Sequence, residues 1–285
     1  MKKWLWPVIC AALCLLLACP CLAEESEAVL GEVDDLLQGV NAPGSEIAGT
    51  PLGYAAADAV HAALGTDLAV VNGGDIAHNL QGGEASWTDV VEVFREDKPL
   101  GIAEITAAQL KDILEIAVST IVVGEDDKIL TEESRNPGFI QPSGFVYQCD
   151  GSAPVGERIR KVWLDNGSEL DLSDDVTIYT LAATESMLSG DYGFPRLSYT
   201  DTEYTLASAL GEAITAGTLT YAGGDRVQLV GTGDNTLLSY VPIGLLILAG
   251  LLVAETNYKK NTRLDHTRYN YRVEAGYERK KYIRN

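Results

Sequence analysis

The first half of the chain switches repeatedly between helical and extended hydrophobic spacing. Apolar residues at helical spacing follow Gly53, and residues 67–71, which are apolar after Asp67, are typical of a short buried strand. Residues 72–75 form a turn whose two glycines let another backbone or a ligand come close. Residues 87–91 are expected to lead into a strand of a hairpin, and Thr106 starts a second helix with its apolar residues on one face.

The pattern in the rest of the chain predicts further elements of both kinds. Apolar positions between residues 29 and 37 are spaced for one short helix. The other predicted elements are strands at 144–148, 159–164, 168–172, 176–182, 219–221 and 226–229, and a helix at 205–216. The Asp-Asn-Gly segment 165–167 predicts a hairpin with a primed turn, and the polar stretch 124–137 predicts a surface loop. No break in composition interrupts residues 50–225, so we expect one domain of the α+β class.

Both ends of the chain carry segments that are typical of membrane targeting. Residues 1–23 combine two lysines with an apolar centre and small residues at the end, which predicts a cleaved secretory signal peptide. The run at 16–19 leaves a second interpretation open, in which Cys19 is lipidated. Residues 237–254 are uncharged and long enough to cross a bilayer. Residues 255–285 contain nine basic residues against four acidic ones, which favours a cytoplasmic tail.

These segments predict a type I single-pass membrane protein of a bacterium, with its domain outside the cell. The expected order is an acidic lead-in at 24–45, the domain at 46–230, a linker at 231–236, one transmembrane helix and the basic tail. Residues 229–233, Leu-Val-Gly-Thr-Gly, resemble a sortase sorting signal. Attachment to the cell wall is therefore an alternative to a retained membrane span.

The charge of the predicted outer region limits its partners. Between the signal and the span there are 37 acidic and 10 basic residues, a net charge of −27. Such a surface repels nucleic acid, so we expect no nucleic-acid partner. Four of the five cysteines lie in the signal, and Cys149 is the fifth, which predicts a domain without an internal disulfide.

The order of several motifs resembles the C-terminal, substrate-binding domain of the 5'-nucleotidase family. That family shows L-G-N-L-x-x-D-A, then V-N-G-G-G-I-R, and later F-L-Q-V-S-G, P-G-x-R-V and G-G-D-G-Y. The corresponding segments here begin at Leu52-Gly53 and continue at 71–76, 138–144, 154–159 and 189–194. The resemblance covers about residues 46–230 and implies the α+β fold of that domain, with mixed sheets and flanking helices.

The resemblance also implies that the chemistry lies elsewhere. In this family, hydrolysis takes place in a separate N-terminal domain that binds two metal ions through His, Asp and Asn side chains. Between the signal and the span, this sequence has two histidines, His61 and His78, and none of the family's metal-binding segments. A two-metal site needs several such ligands converging on ions about 3.5–4 Å apart. We therefore expect no catalytic residue, no metal and no cofactor, and no hydrolysis of phosphoesters by this chain alone.

The family's nucleotide site is only partly carried over. The resemblance implies two aromatic rings around the base, with arginines, an Asn and an Asp on ribose and phosphate. The substrate-binding positions that it assigns are Asn72, Gly73, Gly74, Asp191 and Met187. Met187 stands where the second ring is expected, the family arginines fall on Ala77 and near Ala48, and the first ring falls near Glu96. The predicted site is therefore vestigial, and Asn72 and Asp191 also fit a purely structural role as caps in glycine turns.

Three functions fit this sequence. The first is a cell-surface binding or accessory module with a degenerate nucleotide pocket, whose partner is a protein or small molecule outside the cell. The second is the substrate-binding half of a 5'-nucleotidase whose metal domain is a separate metallophosphatase chain. The third is a wall-attached structural protein, recognisable by cleavage within residues 230–233.

Overall fold

The computed structural model describes residues 28–41, 43–124, 129–219 and 224–230. The predicted signal peptide, linker, membrane span and basic tail lie outside these ranges, and so does most of the strand predicted at 219–221. Among the described residues, no helix is both long and apolar enough to cross a bilayer. The predicted span at 237–254 therefore stays a prediction.

The described residues form five helices, ten strands and two short 3-10 turns. The helices are α1 (Pro51–Leu64), α2 (Trp87–Val93), α3 (Ala107–Ala117), α4 (Glu185–Leu188) and α5 (Leu206–Thr215). The strands are β1 (Val29–Val33), β2 (Leu68–Asn72), β3 (Gly83–Ser86), β4 (Pro99–Thr106), β5 (Ile140–Ser143), β6 (Phe145–Asp150), β7 (Ile159–Leu164), β8 (Ile178–Thr184), β9 (Tyr199–Thr205) and β10 (Val227–Val230). The 3-10 turns are Gly73–Asp75 and Asp191–Gly193.

A five-stranded mixed sheet with the order β5-β2-β8-β4-β9 organises the domain. Strands β2 and β8 run parallel, and the other neighbours are antiparallel. A second sheet has the order β10-β6-β7, and a two-stranded sheet pairs β1 with β3. The predicted α+β class with mixed sheets and flanking helices is confirmed.

The central sheet divides the core into two hydrophobic clusters. Along β2, Leu68 and Val70 belong to one cluster, while Ala69 and Val71 belong to the other. This assignment follows from the period of two, which points successive side chains to opposite faces of a strand. Helix α3 packs its apolar face in the first cluster, and α1 and α5 contribute most of their buried side chains to the second. The glycine turn at residues 73–75 therefore directly follows a strand that is buried on both faces.

Four of the helices have a threonine at the N-cap: Thr50 for α1, Thr106 for α3, Thr184 for α4 and Thr205 for α5. Thr50 accepts a hydrogen bond from the amide of Gly53 at 3.1 Å and caps α1. Thr106 and Thr205 start α3 and α5 with reciprocal capping boxes. Such caps satisfy amide groups that the first helical turn leaves unbonded. The helices predicted from Gly53, from Thr106 and at 205–216 are confirmed.

Two buried charged residues, Glu115 and Arg158, join α3 to β7. The Glu115 carboxylate accepts hydrogen bonds from the backbone amides of Arg158 and Ile159, at 3.0 and 2.7 Å. The Arg158 guanidinium binds the carbonyl oxygens of Ser119 at 3.0 Å and Ala153 at 3.1 Å. Arg158 is 8% exposed. The arginine of the 154–159 motif therefore has a structural role at the end of a helix.

Three predictions between residues 29 and 93 are wrong. The helix expected at 29–37 is strand β1, paired antiparallel with β3 through Gly31 and Ala85. Gly31 faces helix α5, where an added Cβ would lie 2.6 Å from a carbonyl oxygen, so this contact requires the extended glycine. Residues 87–91, expected to lead into a strand of a hairpin, lie in helix α2, because Ser86 and Asp89 form a capping box. The expected hairpin is also wrong, since β3 pairs with β1 and β4 pairs with β8 and β9.

The chain reversal after β7 is confirmed, but the strand predicted at 168–172 is reduced to an isolated bridge between Trp163 and Glu169, and the primed turn is wrong. The amide of Gly167 donates to the carbonyl of Leu164 at 2.8 Å, and that of Leu164 donates to the carbonyl of Ser168 at 2.9 Å. Gly167 has a φ of 82°, whereas Asn166 has no positive φ. A primed turn of the Asn-Gly type needs positive φ at both residues. The connection is therefore a three-residue loop with glycine in the left-handed position.

Candidate functional site

The glycine turn at the end of β2 makes close contact with two other segments of the chain. The amides of Gly73 and Gly74 donate to the carbonyl oxygens of Phe139 at 2.7 Å and Pro137 at 2.9 Å. A Cβ on Gly73 would lie 1.9 Å from the Ser45 carbonyl oxygen. The two glycines are therefore required by backbone that belongs to the protein itself, independently of any ligand.

Asn72 lies at the bottom of this turn and is 1% exposed. Its side-chain amide is 3.5 Å from the carbonyl oxygen of Gly138, a long hydrogen bond. It makes no side-chain cap to the 3-10 turn that follows. The side chain thus bridges β2 to the segment before β5.

A buried ion pair closes the turn. Lys98 donates from Nζ to Oδ1 of Asp75 at 2.7 Å, and the two side chains are 15% and 1% exposed. The second oxygen, Oδ2, is buried and accepts no hydrogen bond from the described residues. Burial raises the pKa of the Asp75 carboxyl, although the hydrogen bond from Lys98 opposes this effect. Burial opposes the charge on Lys98 as well, but the contact with Asp75 leaves the pKa of its ammonium raised.

Tyr192 covers this ion pair from the loop before β9. Its hydroxyl lies 3.3 Å from Nζ of Lys98 and 3.4 Å from Oδ1 of Asp75. The ammonium is 5.3 Å from the centre of the ring, within the range of a cation–π contact. Burial raises the pKa of the Tyr192 hydroxyl, and the neighbouring Asp75 adds to this effect. The turn, the lysine and the tyrosine therefore form one cluster.

A small pocket of about 170 Å³ opens beside the turn, with Ala77 in its wall. Arg95 and Arg135 line it, with side chains 64% and 56% exposed. Both approach the carboxylate of Glu46, Arg135 at 3.0 Å and Arg95 at 3.8 Å. Arg95 also donates from Nε to the Gly74 carbonyl oxygen at 2.8 Å. The cations beside the turn are thus already paired with a carboxylate of the chain.

The remaining predicted site residues lie on the segment after β8. Met187 is in α4, 1% exposed, in the same hydrophobic cluster as Phe194. Asp191 is exposed at the start of its 3-10 turn. Within the described residues, the hydrogen bonds between this segment and the glycine turn are made by Tyr192. The structure thus brings the segment to the turn through a residue that the motif match did not select.

The two histidines have hydrogen-bond partners. His61 places Nδ1 2.9 Å from Oγ of Ser143 and Nε2 2.7 Å from the Thr66 carbonyl oxygen. His78 places Nδ1 2.8 Å from the carbonyl oxygen of Glu92. In the part of the chain that the structure describes, no group of three or more His, Cys, Asp or Glu side chains is arranged to hold a metal ion.

Two features of the sequence indicate the Asp75–Lys98 pair, although the match to the family motifs did not select either residue. Asp75 stands where the family pattern has a third glycine, and Lys98 lies in the stretch that replaces the family's P-F segment. An aspartate directly after a buried strand and two close-packed glycines will itself be buried, and a buried carboxylate needs a cation. That reasoning indicates a lysine or arginine partner, but the sequence does not say which one.

Comparison with known proteins shows similarity to one protein family and to two curated proteins. Residues 29–199 match the family described as 5'-nucleotidase, C-terminal domain. "Endonuclease YhcR" of Bacillus subtilis is 34% identical over 101 residues, which are 35% of this chain and 7% of that protein. "Trifunctional nucleotide phosphoesterase protein YfkN" of the same species is 26% identical over 134 residues, 46% of this chain and 8% of that protein. The chain thus matches less than a tenth of the length of these curated relatives.

Solved structures show the same fold. The crystal structure of a 5'-nucleotidase precursor from Thermus thermophilus matches with a TM-score of 0.61 and 22% sequence identity. The match covers 78% of this chain and 43% of that chain. At this identity the likeness concerns the fold alone.

Proposed function

The chain belongs to the 5'-nucleotidase C-terminal domain family, and from this premise we propose that it is a binding or accessory module that recognises a partner without hydrolysing nucleotides. In this proposal the family's nucleotide cleft is closed by the chain's own side chains. The module is displayed outside a bacterial cell and held by its C-terminal span, as the sequence pattern favours.

The Lys98–Asp75 ion pair beneath Tyr192 is the observation that carries this proposal. Any anionic ligand at the turn would have to compete with Asp75 for Lys98, or with Glu46 for the guanidinium groups of Arg95 and Arg135. Each of these carboxylates is covalently part of the chain and loses no entropy of association. The cleft therefore favours its internal partners over a phosphate.

This chain lacks several nucleotide-binding residues of the family pattern, and their absence should weaken nucleotide binding further. Stacking on an aromatic ring contributes about 1–3 kcal/mol per base, and a hydrogen bond to a charged group contributes about 1.5–3 kcal/mol. Losing two rings and two arginines removes at least about 5 kcal/mol, and each 1.4 kcal/mol is a factor of about ten in affinity. A nucleotide should therefore bind more than about a thousandfold more weakly here than in a complete family site.

A thermal-shift screen tests the proposal. The purified chain would be heated with adenosine, its monophosphate and sugar phosphates, each with and without Mn²⁺ or Zn²⁺. We expect the melting temperature to stay constant, because a ligand that does not bind cannot stabilise the folded state. A saturable rise with the monophosphate, or release of inorganic phosphate from it, would overturn the proposal.

The names of the curated relatives favour a second candidate. Both denote enzymes that act on nucleotides or nucleic acid, a nuclease and a nucleotide phosphoesterase. In this alternative, the chain is the substrate-binding half of such an enzyme, and a separate metallophosphatase chain supplies the metal ions. It requires nucleotide binding without hydrolysis by this chain alone, so the same screen separates the two functions.

A further inference from the structure

We propose that residues 189–194 form a strap that closes the glycine turn and is kept shut by one side chain, Tyr192. The inference rests on the proposed function, because it assigns a means of opening to the same closed cleft. The strap is short and glycine-rich. It follows Leu188 and ends at Phe194, which are 0% and 5% exposed. Its two ends are therefore fixed in the core, while its middle lies largely at the surface.

The middle of the strap has few inward contacts. Its solvent-exposed residues are Ser189, Asp191, Tyr192 and Gly193. The amides of Gly190 and Phe194 donate to nearby carbonyls, to Met187 at 3.0 Å and to Asp191 at 3.2 Å. The contacts to Lys98 and Asp75 come from the Tyr192 ring and hydroxyl. Closure therefore depends on this one side chain.

The backbone of the strap opposes the closed form. Tyr192 has φ 57° and ψ 14°, and it is the one non-glycine residue with positive φ in the described ranges. Gly190 and Gly193, on either side, have φ of 103° and 84°. The left-handed region is unfavourable for a bulky residue, and such residues persist where surrounding contacts hold them. Loss of the contacts to Lys98 and Asp75 should therefore release the tyrosine and open the strap.

The strap lies over the contact between Asn72 and Gly138. A Cβ on Gly138 would be 3.0 Å from Cβ of Tyr192, and the Gly138 carbonyl oxygen is the partner of the Asn72 amide. Opening would expose this amide and Oδ2 of Asp75, which accepts no hydrogen bond from the described residues when the strap is closed. A ligand or partner that donates a hydrogen bond to Oδ2 of Asp75 and accepts one from the Asn72 amide would find both groups there.

Amide hydrogen exchange of the full-length chain, measured by mass spectrometry on peptides that cover the strap, tests this inference. Tyr192→Phe removes the hydroxyl and keeps the ring, and we expect exchange in residues 189–194 to rise about fivefold. Tyr192→Leu also removes the cation–π contact and should give a larger increase. Tyr199→Phe is the matched control, because its hydroxyl lies 3.1 Å from Oγ of Ser189 and touches the strap away from the ion pair.

Alkylation of Cys149, which is buried, reports global unfolding in the same samples. We expect it to stay as slow in the variants as in the wild type. Equal exchange in the wild type and both Tyr192 variants would overturn the inference, as would an equal rise in Tyr199→Phe or a parallel rise in Cys149 alkylation. Binding of adenosine monophosphate by the wild-type chain would refute the proposed function but leave the exchange result unchanged, so the two can fail separately.

Discussion

Replacing Lys98 with methionine isolates the energetic role of the ion pair in the cleft. The substitution keeps most of the aliphatic stem and removes the ammonium. Asp75, whose side chain is 1% exposed, then keeps a buried carboxylate without its cation. Removing one partner of a buried ion pair typically costs about 3–5 kcal/mol, because the other charge stays desolvated. We expect Lys98→Met to lower the free energy of unfolding by about this amount at pH 8.

The loss of stability caused by Lys98→Met should depend on pH. Burial raises the pKa of the Asp75 carboxyl above its ordinary value of 3.8. The folded protein therefore holds a proton over a range in which the unfolded chain is ionised, and this carboxyl's contribution to stability falls as pH rises through that range. Without Lys98 the pKa rises further, and each unit is worth about 1.36 kcal/mol. The penalty of Lys98→Met should therefore be smaller at pH 5 than at pH 8.

Urea denaturation followed by circular dichroism measures these differences. Asp75→Asn combined with Lys98→Met removes both charges and should lie within about 1 kcal/mol of the wild type. Lys161→Met is the control, since the Lys161–Glu169 pair at 3.2 Å has side chains 47% and 49% exposed and should contribute less than about 1 kcal/mol. A cost of Lys98→Met as small as that of the control, or a double variant as unstable as the single one, would refute the reasoning.

Three other substitutions test other parts of the fold. Arg158→Ala should lower the free energy of unfolding by about 2–4 kcal/mol in a denaturant titration, because the buried guanidinium binds backbone carbonyls. The control Arg160→Ala removes one side of a half-exposed ion pair and should lower it by less than about 1 kcal/mol. Equal losses in the two variants would contradict this prediction. Gly73→Ala should cost more than about 2 kcal/mol, since its Cβ would lie 1.9 Å from a carbonyl oxygen, and an unchanged melting temperature would show that the turn adapts. Hydrogen bonds from Thr180 lower the pKa of Asp67, so its charge stabilises the fold above pH 3.8 and this contribution is lost as pH falls through the lower folded pKa. Melting temperatures recorded against pH should therefore fall less steeply in acid for Asp67→Asn, and identical slopes would count against the assignment.

The sequence predicts the elements whose signals are local. The helices that start after Gly53 and Thr106 carry both an apolar face and a capping threonine within a few residues of their first turn. Strand β2 is apolar from Leu68 to Val71 because these residues are buried on both faces of the central sheet. Helix α2 also has a local signal, because Ser86 and Asp89 form a capping box within its first turn.

The elements that depend on distant partners could not be predicted in this way. Strand β1 pairs with β3, more than 50 residues along the chain. Lys98 is 23 residues from Asp75, and Tyr192 is 117 residues from it. The motif match located the glycine turn correctly but says nothing about which side chains close it, because those contacts are tertiary.

Titration calorimetry of the purified chain with adenosine monophosphate tests the central claim most directly. A cleft whose cations are held by Asp75 and Glu46 predicts no saturable heat at ligand concentrations up to about 1 mM, a limit of about −4 kcal/mol. The same result is predicted with Mn²⁺ or Zn²⁺ present. A saturable isotherm with a dissociation constant in the micromolar range, weakened by Asn72→Ala, would contradict the account.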